Sequence, residues 1–212
     1  VLDGVPKWTL DLGALEFSTF QVGKDHLMVA TRQEVIWLDK ITGRVSSRVK
    51  LPLEFRRKEI VKKLPQLFSW ENKEISILVV FMNKQKTRVL GFDMKSKEMI
   101  WQSDIDDPSQ RTSVVTFQDE LFILGQEGLQ RIDIHSGAQK RVAVSPQTDG
   151  LVVEAWPGKD HLLLRKSSDP RKGQGDQFFR YFPMKDTVEG CDENIFFTYI
   201  YNQCFDGYDQ CS

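Results

Sequence analysis

VIWLDKITGRV, residues 35–45, is an apolar run that meets an aspartate, turns through Thr42 and Gly43, and resumes as a second strand-like run. Val35, Trp37 and Asp39 alternate with Ile36 and Leu38. That period of two is what a pleated strand imposes, because successive side chains face opposite sides of the sheet. A carboxylate at Asp39 closes such a hairpin by accepting backbone N–H groups two or three residues on, while Gly43 supplies a positive φ. The competing reading is a cation held by carboxylates that converge from several copies of the corner.

The corner does recur. VLGFDMKSKEMIW (89–101) and LQRIDIHSGAQKRV (129–142) share its order of strand, Asp, short turn, Ser or Thr, then strand, and FFRYFPMKDTVEG (178–190) is a degenerate fourth copy. The aspartates are Asp39, Asp93 and Asp133. A carboxylate repeated at the same turn of every unit is what turn closure predicts.

Another repeat precedes each corner and so comes first in each unit. GKDHL occurs at Gly23–Leu27 and again at Gly158–Leu162, 135 residues apart, or three units of about 45. Two diverged copies lie between, giving FQVGKDHLMVAT (20–31), FSWENKEISILVVFM (68–82), FQDELFILG (117–125) and WPGKDHLLLRK (156–166). Each reads as aromatic residue, polar turn, strand. Units of this length that hold several short strands are the signature of a propeller blade. Helical repeats of similar length are disfavoured, because β-branched and aromatic residues dominate and the apolar runs are short. The sequence therefore predicts an all-β chain, a β-propeller of about four to five blades or a fragment of a larger one.

The corner resembles the quinoprotein-type (PQQ-like) propeller repeat, which runs strand, Leu-Asp, two residues, Thr-Gly, then a strand ending in Trp. LDKITGRV (38–45) matches it well, RIDIHSGAQKRV (131–142) fairly well, and GFDMKSKEMIW (91–101) keeps the Asp and the terminal Trp with Lys in place of Gly. Trp8 in VPKWTLDL fits the outer-strand place that Trp101 holds in EMIWQSDI. The resemblance covers roughly residues 5–190 and implies the superfamily, with rings more often of seven or eight blades. It also predicts that the chain begins partway through a blade, and that the outer strand at Trp8 pairs with strands from ENIFFTYIYNQCF (193–205). Quinoprotein dehydrogenases carry vicinal cysteines over the quinone, a Trp platform and a calcium. This chain has no Cys-Cys pair, and Cys191, Cys204 and Cys211 all lie beyond the clear repeats. No cofactor is expected.

The remaining signals are weaker. The chain has 212 residues, a formal net charge of −1 and a pI near 6.4, so no global field draws in nucleic acid or an anionic membrane. No apolar run reaches the length that spans a bilayer. The sequence opens Val1-Leu2-Asp3 without initiator Met or signal peptide, and is read as a processed or excised product. The cysteine spacings match no zinc site. Their clustering favours, slightly, an oxidising extracytoplasmic compartment with one disulfide, and a cytoplasmic chain with reduced thiols is the alternative. His26 and His161 hold equivalent strand-start places and are expected to be satisfied by neighbouring carboxylates, not to share a metal. DIDD (104–107) reads as a solvated loop before Pro108.

The chain is read as one propeller domain over 1–212, with an inserted loop at 166–177 and a Cys- and aromatic-rich closing segment at 191–212. Two polar segments interrupt the repeats: EFRRKEIVKKL (54–64), with Arg56 and Arg57, and KSSDPRKGQGDQ (166–177), with Arg171 and Lys172. Insertions held at the rim of a rigid scaffold are where partners bind. In the tail, Phe197, Tyr199 and Tyr201 form one alternating row, opposite Phe196, Thr198 and Ile200. An outward Tyr/Phe row suits partner docking. The function expected is a non-enzymatic scaffold that binds a protein partner and no nucleic acid. The alternative is a small-ligand-binding or hydrolytic enzyme with a site on the propeller axis.

Overall fold

The structure is a computed structural model, and it describes residues 7–11, 18–56, 65–82, 86–106, 113–125, 128–142, 152–166 and 176–191. They form four antiparallel sheets of four strands each, and in every sheet the strands lie side by side in chain order. Sheet one holds β1 (Ser18–Val22), β2 (His26–Thr31), β3 (Glu34–Asp39) and β4 (Val45–Lys50). Sheet two holds β5 (Gln66–Trp70), β6 (Ile75–Met82), β7 (Lys86–Asp93) and β8 (Met99–Asp106). Sheet three holds β9 (Ser113–Phe117), β10 (Glu120–Gly125), β11 (Gly128–Ile132) and β12 (Gln139–Val142). Sheet four holds β13 (Val152–Pro157), β14 (Leu162–Lys166), β15 (Gln177–Phe182) and β16 (Thr187–Cys191).

The first repeat is the hairpin between the first two strands of each sheet. Its two GKDHL copies close identically, with Gly23 N–H donating to His26 O and Gly158 N–H to His161 O, both at 2.8 Å. In the third copy, Gln118 and Asp119 both take positive φ, 48° and 61°, the twist a two-residue hairpin turn demands. The second repeat is the corner between the third and fourth strands.

The chain divides into two compact units, Val1–Pro108 with Asp133–Ala138, and Ser109–Ile132 with Gln139–Ser212. In the first unit, Met28, Ala30, Val35 and Trp37 of sheet one pack with Leu67, Leu78, Val80, Leu90 and Phe92 of sheet two. The Trp37 and Phe92 rings meet edge to face at 5.7 Å. Period two explains which residues take part. Val29, Ile36 and Leu38, one step out of phase, form a separate cluster on the opposite face of sheet one, with Leu27 and Leu10 against it. In the second unit, Phe117, Phe122, Leu124, Leu129 and Val142 pack with Leu162, Leu164 and Tyr181. Phe122 and Tyr181 again meet edge to face, at 6.0 Å.

Two sequence expectations are corrected. Asp104, Ile105 and Asp106 belong to β8 and not to a loop: Asp104 pairs with Arg88, and Ile105 is buried. The segment after Lys50 is not wholly a polar insertion. Leu53–Arg56 is a 3-10 turn whose Phe55 joins the core, while its Glu54 pairs with Arg88, whose guanidinium lies over the Phe55 ring. Of the insertion at 166–177, Lys166 and Gln177 are the paired end residues of β14 and β15. The closing segment predicted at 193–205 lies outside the described residues.

Candidate functional site

The corners are where sequence analysis placed the two competing readings, and their geometry separates them. At the first, Asp39 Oδ1 accepts the N–H of Ile41 at 3.0 Å, the N–H of Thr42 at 2.6 Å and the Thr42 hydroxyl at 2.8 Å. Asp133 Oδ1 repeats this at the third, accepting from His135 N–H (3.0 Å), Ser136 N–H (2.7 Å) and the Ser136 hydroxyl (2.8 Å). Asp93 accepts Ser96 N–H at 2.5 Å. Each aspartate's carbonyl also receives the N–H four residues on, at 2.8 to 2.9 Å, from Gly43, Lys97 and Gly137. Those three residues take positive φ, 70°, 59° and 71°. Glycine stands at two of them because it alone adopts that region without cost, and Lys97 carries the strain.

The same bonds fix the charge state. The Thr42 backbone N–H, then its hydroxyl, hold the Asp39 carboxyl below the ordinary value, and Ser96 does the same for Asp93. At Asp133 partial burial pushes upward, and the bonds from Ser136 and His135 outweigh it. These carboxylates are ionised turn closers. Oδ1 of each is taken up by donors of its own corner.

Each corner also takes a side chain from outside its hairpin. Trp101, on outer strand β8, donates its indole N–H to the carbonyl of Ile134 at 3.0 Å and lies flat against Gly137. Trp8 does the same at the first corner, donating to the carbonyl of Lys40 at 3.1 Å and lying against Gly43. In both, the acceptor is the residue just after the corner aspartate. A Cβ at Gly137 would stand 2.5 Å from Trp101 Cε3, and one at Gly43 or Gly91 would stand closer still to Trp8 or Trp101. These glycines exist to admit the indoles. The second corner substitutes a polar contact, in which Lys97 Nζ donates to Ser46 Oγ at 2.8 Å.

The fourth corner departs furthest. Its turn spans residues 183–186, and its aspartate is the last residue of the turn, Asp186, at φ 52°. Asp186 accepts from the Tyr181 hydroxyl at 3.0 Å and from Lys140 Nζ at 2.6 Å. Arg131, paired with Glu120, also donates to the Pro183 carbonyl at 3.4 Å. Lys140, then Tyr181, hold Asp186 below its ordinary value, while burial followed by the Asp186 contact pushes the Tyr181 hydroxyl up to about 12.

The histidines divide. His161 Nδ1 lies 2.9 Å from Asp160 Oδ1, as expected, whereas His26 Nε2 is buried without a hydrogen-bond partner among the described residues. Among the described residues, no group of three or more His, Cys, Asp or Glu is placed to hold a metal. None of their helices is long and apolar enough to cross a membrane.

Of the residues singled out for partner binding, Phe197, Tyr199, Tyr201, Arg171, Lys172 and Arg57 lie outside the described residues. Arg56 ends the 3-10 turn. What sequence reasoning missed is an exposed apolar set: Phe20 (67 % exposed), Val22 (54 %), Ile41 (74 %) and Met184 (86 %). Ile41 and Met184 are tips of the first and fourth corners, where the turn projects a residue whatever its polarity.

No protein-family model matches the chain, and no curated protein matches it. Four four-stranded antiparallel sheets, each a simple meander, are the plan of a β-propeller. Solved structures agree on that fold. The chain is similar to the complex of the fission yeast SREBP–SCAP binding domains, at 10 % identity and a TM-score of 0.54, covering 84 % of this chain and 48 % of that one. It is similar to the dihydro-heme d1 dehydrogenase NirN in complex with DHE, at 11 % and 0.53, covering 85 % and 37 %. It is also similar to a eukaryotic initiation factor, at 9 % and 0.53, covering 88 % and 46 %. The chain thus spans less than half the length of each. Likeness at such identity shows the fold alone, and this fold hosts an enzyme as well as a binding domain.

Proposed function

We propose that the chain is a non-enzymatic β-propeller scaffold that binds a protein partner through its inserted segments and aromatic tail. The observation that carries this reading is the anchoring of the insertion. Lys166 and Gln177 face each other as the rung that ends the β14–β15 ladder, so the intervening residues, Arg171 and Lys172 among them, are joined at both ends to a four-stranded sheet. A rigid base lowers the ordering cost that a binding loop pays. The corner carboxylates support the same reading, since Oδ1 of Asp39 and of Asp133 closes its own turn. The SREBP–SCAP structure, a complex of binding domains, shows a fold of this kind engaged with a partner.

In this reading Tyr199, Tyr201 and Phe197 supply aromatic anchors, Arg171 and Lys172 supply charge, and Arg56 and Arg57 form a second basic contact. The clustering of Cys191, Cys204 and Cys211 supports an extracytoplasmic compartment over the cytoplasmic alternative. The test is affinity purification from the source organism with the wild-type chain, Tyr199→Ala, Tyr201→Ala and the double variant Arg171→Glu, Lys172→Glu. Loss of a reproducible partner with the melting temperature within about 2 °C of wild type supports the reading. Variants that all retain the partner, or that unfold, contradict the assignment of these residues.

A further inference from the structure

The four corners are not fastened alike. At the first and third, the aspartate Oδ1 takes three donors of its own turn, and its carbonyl takes a glycine N–H at 2.8 and 2.9 Å. The turn at 183–186 has longer bonds of its own. Lys185 N–H donates to the Phe182 carbonyl at 3.1 Å, and Asp186 N–H to the Pro183 carbonyl at 3.3 Å. Asp186 also occupies the left-handed region at φ 52°, which costs an aspartate more than the glycines of the first and third corners.

What holds this turn comes from sheet three. Arg131 and Lys140 are rung partners on β11 and β12, so their side chains stand side by side on one face. Arg131 donates to the Pro183 carbonyl, the same oxygen that accepts Asp186 N–H. Lys140 donates to the Asp186 carboxylate, which also takes the Tyr181 hydroxyl. Glu120 on β10 steadies Arg131 in turn. The side chains of Lys140 and Asp186 are 57 % and 41 % exposed, so dissolved ions reach the pair. Tyr181 is fully buried against Phe122 and anchors β15 by apolar packing, which salt does not screen. The fastening of the turn is charged, and its floor is not.

We propose that the turn at 183–186 is a flap gated by ionic strength. It lifts from Arg131 and Lys140 as salt screens them, while β15, the four sheets and the other corners stay closed. Such local opening is distinct from unfolding, because it breaks the turn bonds of Lys185 and Asp186 and leaves Tyr181 in the core. Opening frees Met184, already the most exposed large apolar side chain of the corners, together with the Asp186 carboxylate. The flap shares no residue with the partner-binding set above and stands without it.

The test is native-state amide hydrogen exchange on the full chain, read residue by residue by NMR and corrected for intrinsic exchange. Between low salt and about 1 M sodium chloride, exchange at Lys185 and Asp186 should rise about threefold or more, as expected when a half-exposed ion pair is screened. Exchange at Gly43 and Gly137, whose corners carry no such latch, should hold constant. Lys140→Gln should show the fast rate already at low salt and lose most of the salt response, and Lys140→Arg should restore both. The proposal is overturned if Lys185 and Asp186 ignore salt, if Gly43 and Gly137 respond equally, or if Lys140→Gln keeps the full response. Protection at Gly43 and Gly137 reports the fold of each variant. The salt series on the wild-type chain needs no substitution, so it decides the matter even where a variant fails to fold.

Discussion

The third and fourth corners perform the same task with opposite chemistry. At the third, an indole fills the space between Gly91 and Gly137 and spends its one N–H on a turn carbonyl. At the fourth, Lys140 is paired with Arg131 in the ladder as Trp101 is with Gly91, and both cations reach the turn at Pro183 and Asp186. Apolar filling depends on shape and is indifferent to salt and pH. A charged latch with half-exposed partners gains little in water, is screened by salt and follows the titration of its carboxylate. The lesson is that a repeat conserves the position of a contact while leaving its chemistry free.

The largest effect expected from breaking that comparison is at Trp101. Trp101→Ala should cost about 3 kcal/mol in denaturant unfolding, because the indole has glycine on both sides and nothing can relax into its place. Gly91→Ala should cost somewhat less, and adding it to Trp101→Ala should cost almost nothing further. Additive losses would show that the glycine and the indole do not share one site.

Next comes Tyr181, whose hydroxyl is held up to about 12 from an ordinary 10.0. A raised folded value means that the unfolded chain loses this proton first, so the stabilisation is complete below pH 10 and is lost as pH rises toward 12. Tyr181→Phe should remove that alkaline loss, of about 2 kcal/mol, from a pH series of unfolding free energies. An unchanged alkaline limb would contradict the assignment. Asp186→Asn should cost about 1 kcal/mol or less at low ionic strength and almost nothing in 1 M salt, whereas the cost of Trp101→Ala should not depend on salt.

The smallest effect is at the second corner. Lys97 occupies φ 59° where the first and third corners have glycine. Lys97→Gly should relieve backbone strain but forfeit the bond to Ser46, for a net gain of about 0.5 kcal/mol, read as a rise of 1–2 °C in Tm. A fall in Tm would mean that the Ser46 contact outweighs the strain.

Sequence alone yielded the hairpins, because GKDHL and the Asp-x-x-Thr/Ser-Gly corner are local and each residue in them is demanded by a nearby backbone bond. Asp39, Asp93 and Asp133 were legible for the same reason. The fourth corner was not, since Asp186 closes its turn from the opposite end and takes its partners, Tyr181 and Lys140, from other strands. Phe55 was hidden in a basic run, and Asp104 passed for a loop residue because its reason to be in a strand is Arg88 across the ladder. Trp8 was legible by its likeness to Trp101, and both indoles donate to the carbonyl just after a corner aspartate.

The central claim is that the recurring aspartates close turns and do not assemble a site. The most direct measurement is a carbon-detected NMR titration of the Asp39, Asp93 and Asp133 carboxyls, with and without millimolar calcium or magnesium. All three should titrate below the ordinary value of 3.8, and none should move when the cation is added. Carboxyls that titrate at or above that value, and shift together on addition of the cation, would contradict the account.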